Sequence, residues 1–478
     1  MRAKLQKFTD FTLTLLPHEV SYLLSIQQFQ DNDRLNILKR IAHNIEQGNT
    51  FIEYDTTLNK RKYSNLKNWI VERLQTLDVD VQFEWMTELE KAIMTDCITP
   101  EDEKQLLKAI RNYDEPIFYF QKFYELALSY RHFLIIRMRY ADHKLVNDFI
   151  INNKKSYDQS KRINEKLHEI TVDIINQYRN TNIETKKWER WLTKVFYDEK
   201  LDGQNRYLAL IRLIFMAFNY RHFEPLRKHF DDLDKYFEQG KYYSKRLLLN
   251  YYGNRLLLHT KSEELDKAVY YGYLSIRGKN NEYIHYINNL SAVLQRQSKY
   301  QAALELMRSA FSEMKATQNY HDKIGFVAFY ANALNNTKQY RSAEQYCASF
   351  LHAYKENVFK YRWHIFFTVY LESLLHQKKY TTIQKVVSKN QLLQHDKNYQ
   401  QKASYLPTIT WYAYAASLRE ISFSKHEFKT LILEFTESVI HNKNKKQQLI
   451  ELLKTIQPHI PEVIQLVRPK LYDLGIRI

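Results

Sequence analysis

The sequence predicts an all-α chain whose later part is built from repeated helix pairs. Three observations carry that expectation. The 478 residues contain only 8 Gly and 8 Pro, against average usage of about 7% and 5%. Hairpins, bulges and phosphate loops draw on glycine, and this chain has almost none to supply. No proline stands between Pro225 and Pro407, so helix can follow helix across short turns. Finally, a bulky residue followed three positions later by an apolar one recurs at Phe223/Leu226, Leu265/Ala268, Tyr300/Ala303, Tyr340/Ala343 and Tyr380/Ile383. The first members lie 42, 35, 40 and 40 residues apart, and a period in this range marks a helical solenoid. The 37 Tyr and 26 Phe supply the bulk for many small helix–helix contacts.

The elements follow in order. Asp31–Glu46 places Leu35, Ile37, Leu38, Ile41 and Ile45 on one helical face. Lys62–Leu77 does the same with Leu66, Trp69, Ile70, Leu74 and Leu77. Thr99-Pro100-Glu101-Asp102 reads as a helix start, with Thr as N-cap, Pro at the first helical position and acids in the first turn. Pro116 is expected to restart a long aromatic helix from Ile117 to Tyr140, and the polar run Asn152–Tyr157 to connect it onward. The resulting division is an irregular N-terminal helical region at 1–150, connecting helices at 151–204, a repeat array at 205–440 and capping helices at 441–478.

The repeat units carry a further pattern. The clearest runs Ile287-x2-Leu290-Ser291-x2-Leu294, then Tyr300, Ala303-x3-Met307 and Ala310. The next runs Val327-x2-Tyr330-Ala331-x2-Leu334, then Tyr340 and Ala343-x3-Cys347. A third gives Phe367, Tyr370, Leu371, Leu374, Tyr380, Ile383 and Val387. This pattern resembles the tetratricopeptide repeat (TPR), in which a small residue on the first helix and an Ala on the second let the pair approach closely. The resemblance implies a right-handed helical-hairpin solenoid over roughly 205–440. The spacing here is mostly 40 residues instead of about 34, and no proline closes the units.

Charge is unevenly placed. Lys plus Arg is 71 and Asp plus Glu is 54, a formal charge of +17. Residues 1–150 carry a net −2, 151–260 a net +7 and 261–478 a net +12. The densest cluster, Lys443, Lys445 and Lys446, is short. A basic face in the last two-thirds would attract an acidic partner or a nucleic-acid backbone. The two cysteines, Cys97 and Cys347, lie 250 positions apart, which points to a reducing compartment without a disulfide framework. The basic start containing Arg2 and Lys4 lacks the apolar run and cleavage site of a secretory signal. The longest apolar stretch, Tyr207–Tyr220, has 14 residues and contains Arg212, too short to span a bilayer. A soluble cytoplasmic protein with no membrane partner is expected.

Catalytic signatures are scarce. Gly272-x5-Gly278-Lys279-Asn280 misses the phosphate-loop pattern by one residue and lacks its Ser or Thr. No HExxH, paired CxxC, calcium loop or GxSxG occurs. No cofactor or metal is expected. Arg137-x5-His143 has the spacing of helical ribonucleases, in which Arg stabilises phosphate charge and His moves a proton. Chance supplies such spacings in a chain with 17 His, and the wet edge of a helix is the plainer reading. Tyr-Arg-His-Phe occurs at Tyr130–Phe133 and again at Tyr220–Phe223, and packing is its expected role.

The functional expectation is therefore a binding groove. In the TPR resemblance, first helices line a concave surface that holds extended peptides. Side-chain amides suit this task, because one Asn both donates to and accepts from a peptide backbone. The candidate contact residues are Asn254, His285, Asn288, Asn289, Arg296 and Asn332, with Tyr273, Tyr283 and Tyr286 as stacking area. Asn250, Asn335 and Asn336 lie on the same helices, the last two at a helix end. The layout resembles bacterial quorum-peptide sensors, although the net-acidic first third shows no helix-turn-helix. The expected partner is a protein or peptide, acidic ones included. The alternative is a ligand-controlled, nucleic-acid-associated regulator using a basic face of residues 151–478.

Overall fold

A computed structural model describes residues 5–46, 50–114, 116–179, 184–400, 405–420 and 423–477, with the side chains of 178–179 and 443–444 left aside. Arg2 and Lys4, and the side chain of Lys443, lie outside the described residues. The described residues form 25 α-helices and two short 3-10 turns, with no strand. Helices pack mainly on their sequence neighbours, which fits a helical repeat. None is long and apolar enough to cross a membrane. The chain divides into two compact units, Met1–Asn280 and Asn281–Ile478.

In the first unit, helices Gln6–Thr12, Pro17–Ile26, Asn32–Ile45 and Lys60–Leu77 close over Phe8, Leu23, Leu38, Ile41, Leu66 and Ile70. A second core joins Val79–Met94, Pro100–Arg111 and Phe120–Ile136 around Met86, Leu106, Leu126 and Leu134. The Thr99 cap forms as read, its hydroxyl accepting from the Asp102 N–H at 3.2 Å. Two expectations are corrected here. The aromatic helix starts at Phe120 and stops at Ile136, because Met138 turns to a positive φ of 57° and the Arg139 N–H closes back on the Leu134 carbonyl. The polar run Asn152–Tyr157 is no connection. It lies inside a single 40-residue helix, Tyr140–Arg179, which is solvated along much of this stretch.

The N-terminal helices belong to the same unit as residues up to 280. His18, on Pro17–Ile26, contacts Asp234 at 2.8 Å and the Tyr252 hydroxyl at 2.7 Å. Arg255, almost fully buried, pairs with Asp234 and with Asp231, and takes the Tyr251 hydroxyl as a further acceptor. Buried Glu19 accepts from the Tyr243 hydroxyl at 2.7 Å, and burial raises its carboxyl above the ordinary range. A buried charge needs such partners, since desolvation otherwise outweighs attraction.

The second unit stacks helix pairs: Tyr283–Arg296 with Tyr300–Ser309, Tyr320–Asn336 with Tyr340–Tyr361, and Trp363–His376 with Tyr380–Lys389. Thr408–Arg419, Lys425–Val439, Lys443–Ile456 and Pro461–Asp473 follow. The pattern positions Ile287, Leu290, Ser291, Ala303, Met307, Ala310, Val327, Ala331, Ala343, Cys347, Phe367, Leu371 and Ile383 are all fully buried. Their burial follows from the pairing, because a lone hairpin cannot hide its own apolar face.

The recurring bulky residue marks a turn. Leu265, Tyr300, Tyr340 and Tyr380 each open the second helix of a pair, and Phe223 precedes Glu224–Glu238 as its N-cap. Two positions before each stands a residue in the left-handed region: Arg221, Glu263, Ser298, Lys338 and Lys378, with φ between 55° and 61°. After Ser298, Lys338 and Lys378 the chain closes with two bonds. In the middle case the Lys338 N–H donates to the Asn335 carbonyl and the Gln339 N–H to the Leu334 carbonyl, at 2.9 and 2.8 Å. This is the Schellman closure, usually made with glycine. A glycine-poor chain makes it here with Ser and Lys.

Candidate functional site

The first helices of the second unit carry a polar ribbon from pair to pair. It begins at Asn319, which caps Tyr320–Asn336. Its side-chain oxygen accepts from the Asp322 N–H, and its side-chain nitrogen donates to Asp322 Oδ2 at 2.7 Å. Asp322 is thereby fixed at a helix start, where a negative charge is favoured. His285 from the preceding first helix reaches Asp322 Oδ1 at 3.2 Å, and His321 Nδ1 lies 3.4 Å from the same oxygen. Arg362, just before the next first helix, donates from Nε to His321 Nε2 at 2.8 Å. Since that nitrogen accepts, the His321 proton sits on Nδ1, facing Asp322.

Burial by itself would raise the Asp322 carboxyl. The hydrogen bonds from His285 and His321 more than offset this and hold it well below the usual carboxylate range. The rings of His285 and His321 remain open to solvent on one side, with 37% and 46% of each side chain exposed. Gly325 leaves room for this arrangement. A Cβ there would stand 2.5 Å from Arg362 Nη1.

A second row lies further along the same helices. Gln295 donates to the Ser291 hydroxyl and to the Phe329 carbonyl, both at 3.0 Å, and accepts from Asn332 Nδ2 at 2.6 Å. Asn336 donates to the Asn332 carbonyl at 2.9 Å. Asn335 points the other way and donates to the Val369 carbonyl at 3.0 Å.

The six expected contact residues are thus placed unevenly. His285 joins the ribbon with a solvent-facing ring. Asn289 is half-buried and Arg296 is exposed on the same helix. Asn332 is half-buried with its donor held by Gln295. Asn288 is 2% exposed and donates to the Asp322 carbonyl at 2.9 Å, so its amide ties two helices together and does not face a ligand. Asn254, in the first unit, donates back to Asn250 one turn earlier. Tyr283 and Tyr286 are buried, leaving only Tyr273 as exposed ring surface.

Sequence reading passed over His321, Asp322, Arg362 and Gln295. One signal was available: Gln295 and Asn335 stand forty residues apart, at the same position of successive units.

Other sequence candidates separate. Arg137 ends its helix, pairs with Asp96 at 2.6 Å and lies 3.7 Å over the Phe133 ring, whereas His143 sits on the following helix. The shared helix required by the ribonuclease arrangement is absent. The two Tyr-Arg-His-Phe copies also differ. Tyr130 is buried mid-helix against Glu103, while the Tyr220 hydroxyl sits at a helix end and accepts from the Thr185 and Lys186 N–H groups. No group of three or more His, Cys, Asp or Glu side chains that could hold a metal ion occurs among the described residues. No protein-family model matches the chain, and no curated protein or solved structure is significantly similar to it.

Proposed function

We propose that this chain is a non-enzymatic scaffold of TPR type that holds an extended protein segment along the first helices of its second unit. The observation that carries the proposal is the ribbon His285–Asp322–His321–Arg362, which joins two successive first helices to the start of a third while keeping two imidazole edges in water. A segment lying across these helices meets His285 and Asn289, then His321 and Asn332. These are donors and acceptors at intervals an extended backbone can use. Arg296 and Arg362 add positive charge along the same path, which suits a segment bearing carboxylates. Cys97 and Cys347 are free thiols, in keeping with a cytoplasmic setting.

The test is affinity capture from the host lysate at low and high salt with nuclease treatment, followed by mass spectrometry. A protein partner retained by the parent and lost by the Asn289→Ala, His321→Ala double variant supports the scaffold. Gly325→Ala is the companion variant. Its Cβ would displace Arg362 and stand 3.2 Å from Asn288 Nδ2, while helix propensity improves by up to about 1 kcal/mol, so partner retention falls, and urea unfolding of the same variant separates that loss from any loss of stability. Unchanged retention by both variants sinks the proposal.

A further inference from the structure

The first unit carries a second candidate surface, independent of the ribbon. A groove of about 710 Å³ runs beside the 40-residue helix Tyr140–Arg179. Lys154, Lys155, Arg162 and Lys166 line it, together with Ile151, Ile163 and Trp191. Lys155, Arg162 and Lys166 follow the helical repeat, so they share one face, and the last two stand about 6 Å apart along the axis. Asp158 is the single acidic residue in the lining. None of the four cations is held in an ion pair among the described residues.

One aromatic ring, Trp191, lines the groove, and Trp188 stands beside it outside the lining, both within reach of Lys166. Lys166 Nζ lies 4.5 Å from the Trp191 ring centre and 5.4 Å from that of Trp188, and Lys187 Nζ lies 4.9 Å from Trp188. Trp188 is fixed by its indole N–H, which donates to Asp173 at 2.9 Å. The segment bearing both rings, from Lys186 to Lys194, alternates cation and indole: Lys186, Lys187, Trp188, Arg190, Trp191 and Lys194. Glu189 is its one carboxylate.

We infer that this groove binds single-stranded nucleic acid. A row of unpaired cations follows a phosphate backbone, and the flat π-face of Trp191 at its end stacks an unpaired base. The combination is how sequence-tolerant single-strand sites are built. Lys155 and Arg162 neutralise phosphates. Lys166 exchanges the indole face for a phosphate, and a base takes its place on Trp191. An acidic polypeptide satisfies the cations and leaves the indoles without a partner. The local charge agrees, since residues 151–260 carry a net +7.

The test uses the full chain with fluorescein-labelled oligothymidylate and oligouridylate, read by anisotropy across a salt series. Engagement of three or four phosphates gives a slope of log affinity against log salt of about −2 to −3. Lys155→Glu with Arg162→Glu weakens binding at least ~10-fold. Trp191→Ala weakens it roughly 5- to 150-fold, the range for losing one stacked base, while Trp191→Phe retains most of the affinity. Circular dichroism confirms that each variant keeps its helix content. Absence of saturable binding at low salt overturns the inference, as does a charge-reversed variant that binds like the parent. Polyglutamate that competes as well as the oligonucleotide also overturns it, and assigns the groove to an acidic polypeptide.

Discussion

Asn335 donates its side-chain amide to the Val369 carbonyl at 3.0 Å, reaching from one first helix to the next. Forty residues earlier Gln295 makes the same bond to Phe329, also at 3.0 Å. Leu375 occupies the equivalent position one unit later. Two neighbouring interfaces therefore carry a polar latch at one shared position, and the following unit has an apolar residue there.

That latch has a measurable weight. Asn335→Ala removes a buried hydrogen bond and leaves a small void, for a loss of about 1–2 kcal/mol in urea unfolding. Asn336→Ala, one residue on and exposed, stays within about 0.5 kcal/mol. Equal losses at the two sites would mean that Asn335 contributes nothing across the interface.

The left-handed turns give a prediction of opposite sign. A non-glycine residue in that region costs roughly 1 kcal/mol or more, and glycine avoids it at the expense of a looser unfolded chain. Lys338→Gly and Lys378→Gly should each stabilise by about 0.5–1 kcal/mol and raise the thermal midpoint. Gly240→Ala is the converse. Its φ of 74° disfavours a side chain, and a Cβ there would stand 2.7 Å from the Tyr22 ring, so the midpoint falls.

Acid weakens the second unit before carboxylates titrate. Burial pushes the imidazoles of His364 and His459 down to about 4, from an ordinary value near 6.5. Below pH ~6.5 the unfolded chain binds protons that the folded chain refuses, so the stability contributed by these two neutral imidazoles falls with falling pH and is exhausted below about 4. Each histidine is worth up to about 3 kcal/mol over that window. His459→Gln should flatten the pH dependence of the unfolding midpoint between 6.5 and 4. An unchanged slope would exclude His459 as its source.

The thiols divide cleanly. Cys97 is exposed, whereas Cys347 is fully buried and burial pushes its thiol well above the usual range. A disulfide-exchange reagent should modify one thiol per native chain and two after denaturation. Two equivalents taken up rapidly by the native protein would show that the Ala343–Cys347 core opens.

Much of the repeat is legible in the sequence, for a physical reason. Tyr300, Tyr340 and Tyr380 mark helix starts, and Ala303 and Ala343 mark helix crossings, because close packing restricts those positions by size. The turns are hidden, since Ser298 and Lys338 give no hint of a positive φ and only their distance from the tyrosines locates them. Asn152–Tyr157 misleads because a long solvated helix and a polar connection have the same composition. The polar ribbon of the candidate site was legible only in part. Side-chain type pointed to His285, Asn289 and Asn332 as candidates, but which carbonyl an amide reaches depends on how neighbouring helices are staggered. That turns Asn288 inward and brings Arg362 onto His321.

Ser298, Lys338 and Lys378 define a natural grain for insertion and deletion. The block Lys299–Lys338 starts just after one left-handed residue and ends on the next. Duplicating or removing it would leave every hairpin joined by the same closure and change only the number of rungs. Losing a single residue within a helix is a different event. Each residue turns a helix by about 100°, so Gln295, Asn335 and their carbonyl partners would swing out of line and the neighbouring pair would lose its seat. Sequences descended from this one should therefore differ in length by steps near forty residues within the array, and by small steps only in the segments joining one pair to the next.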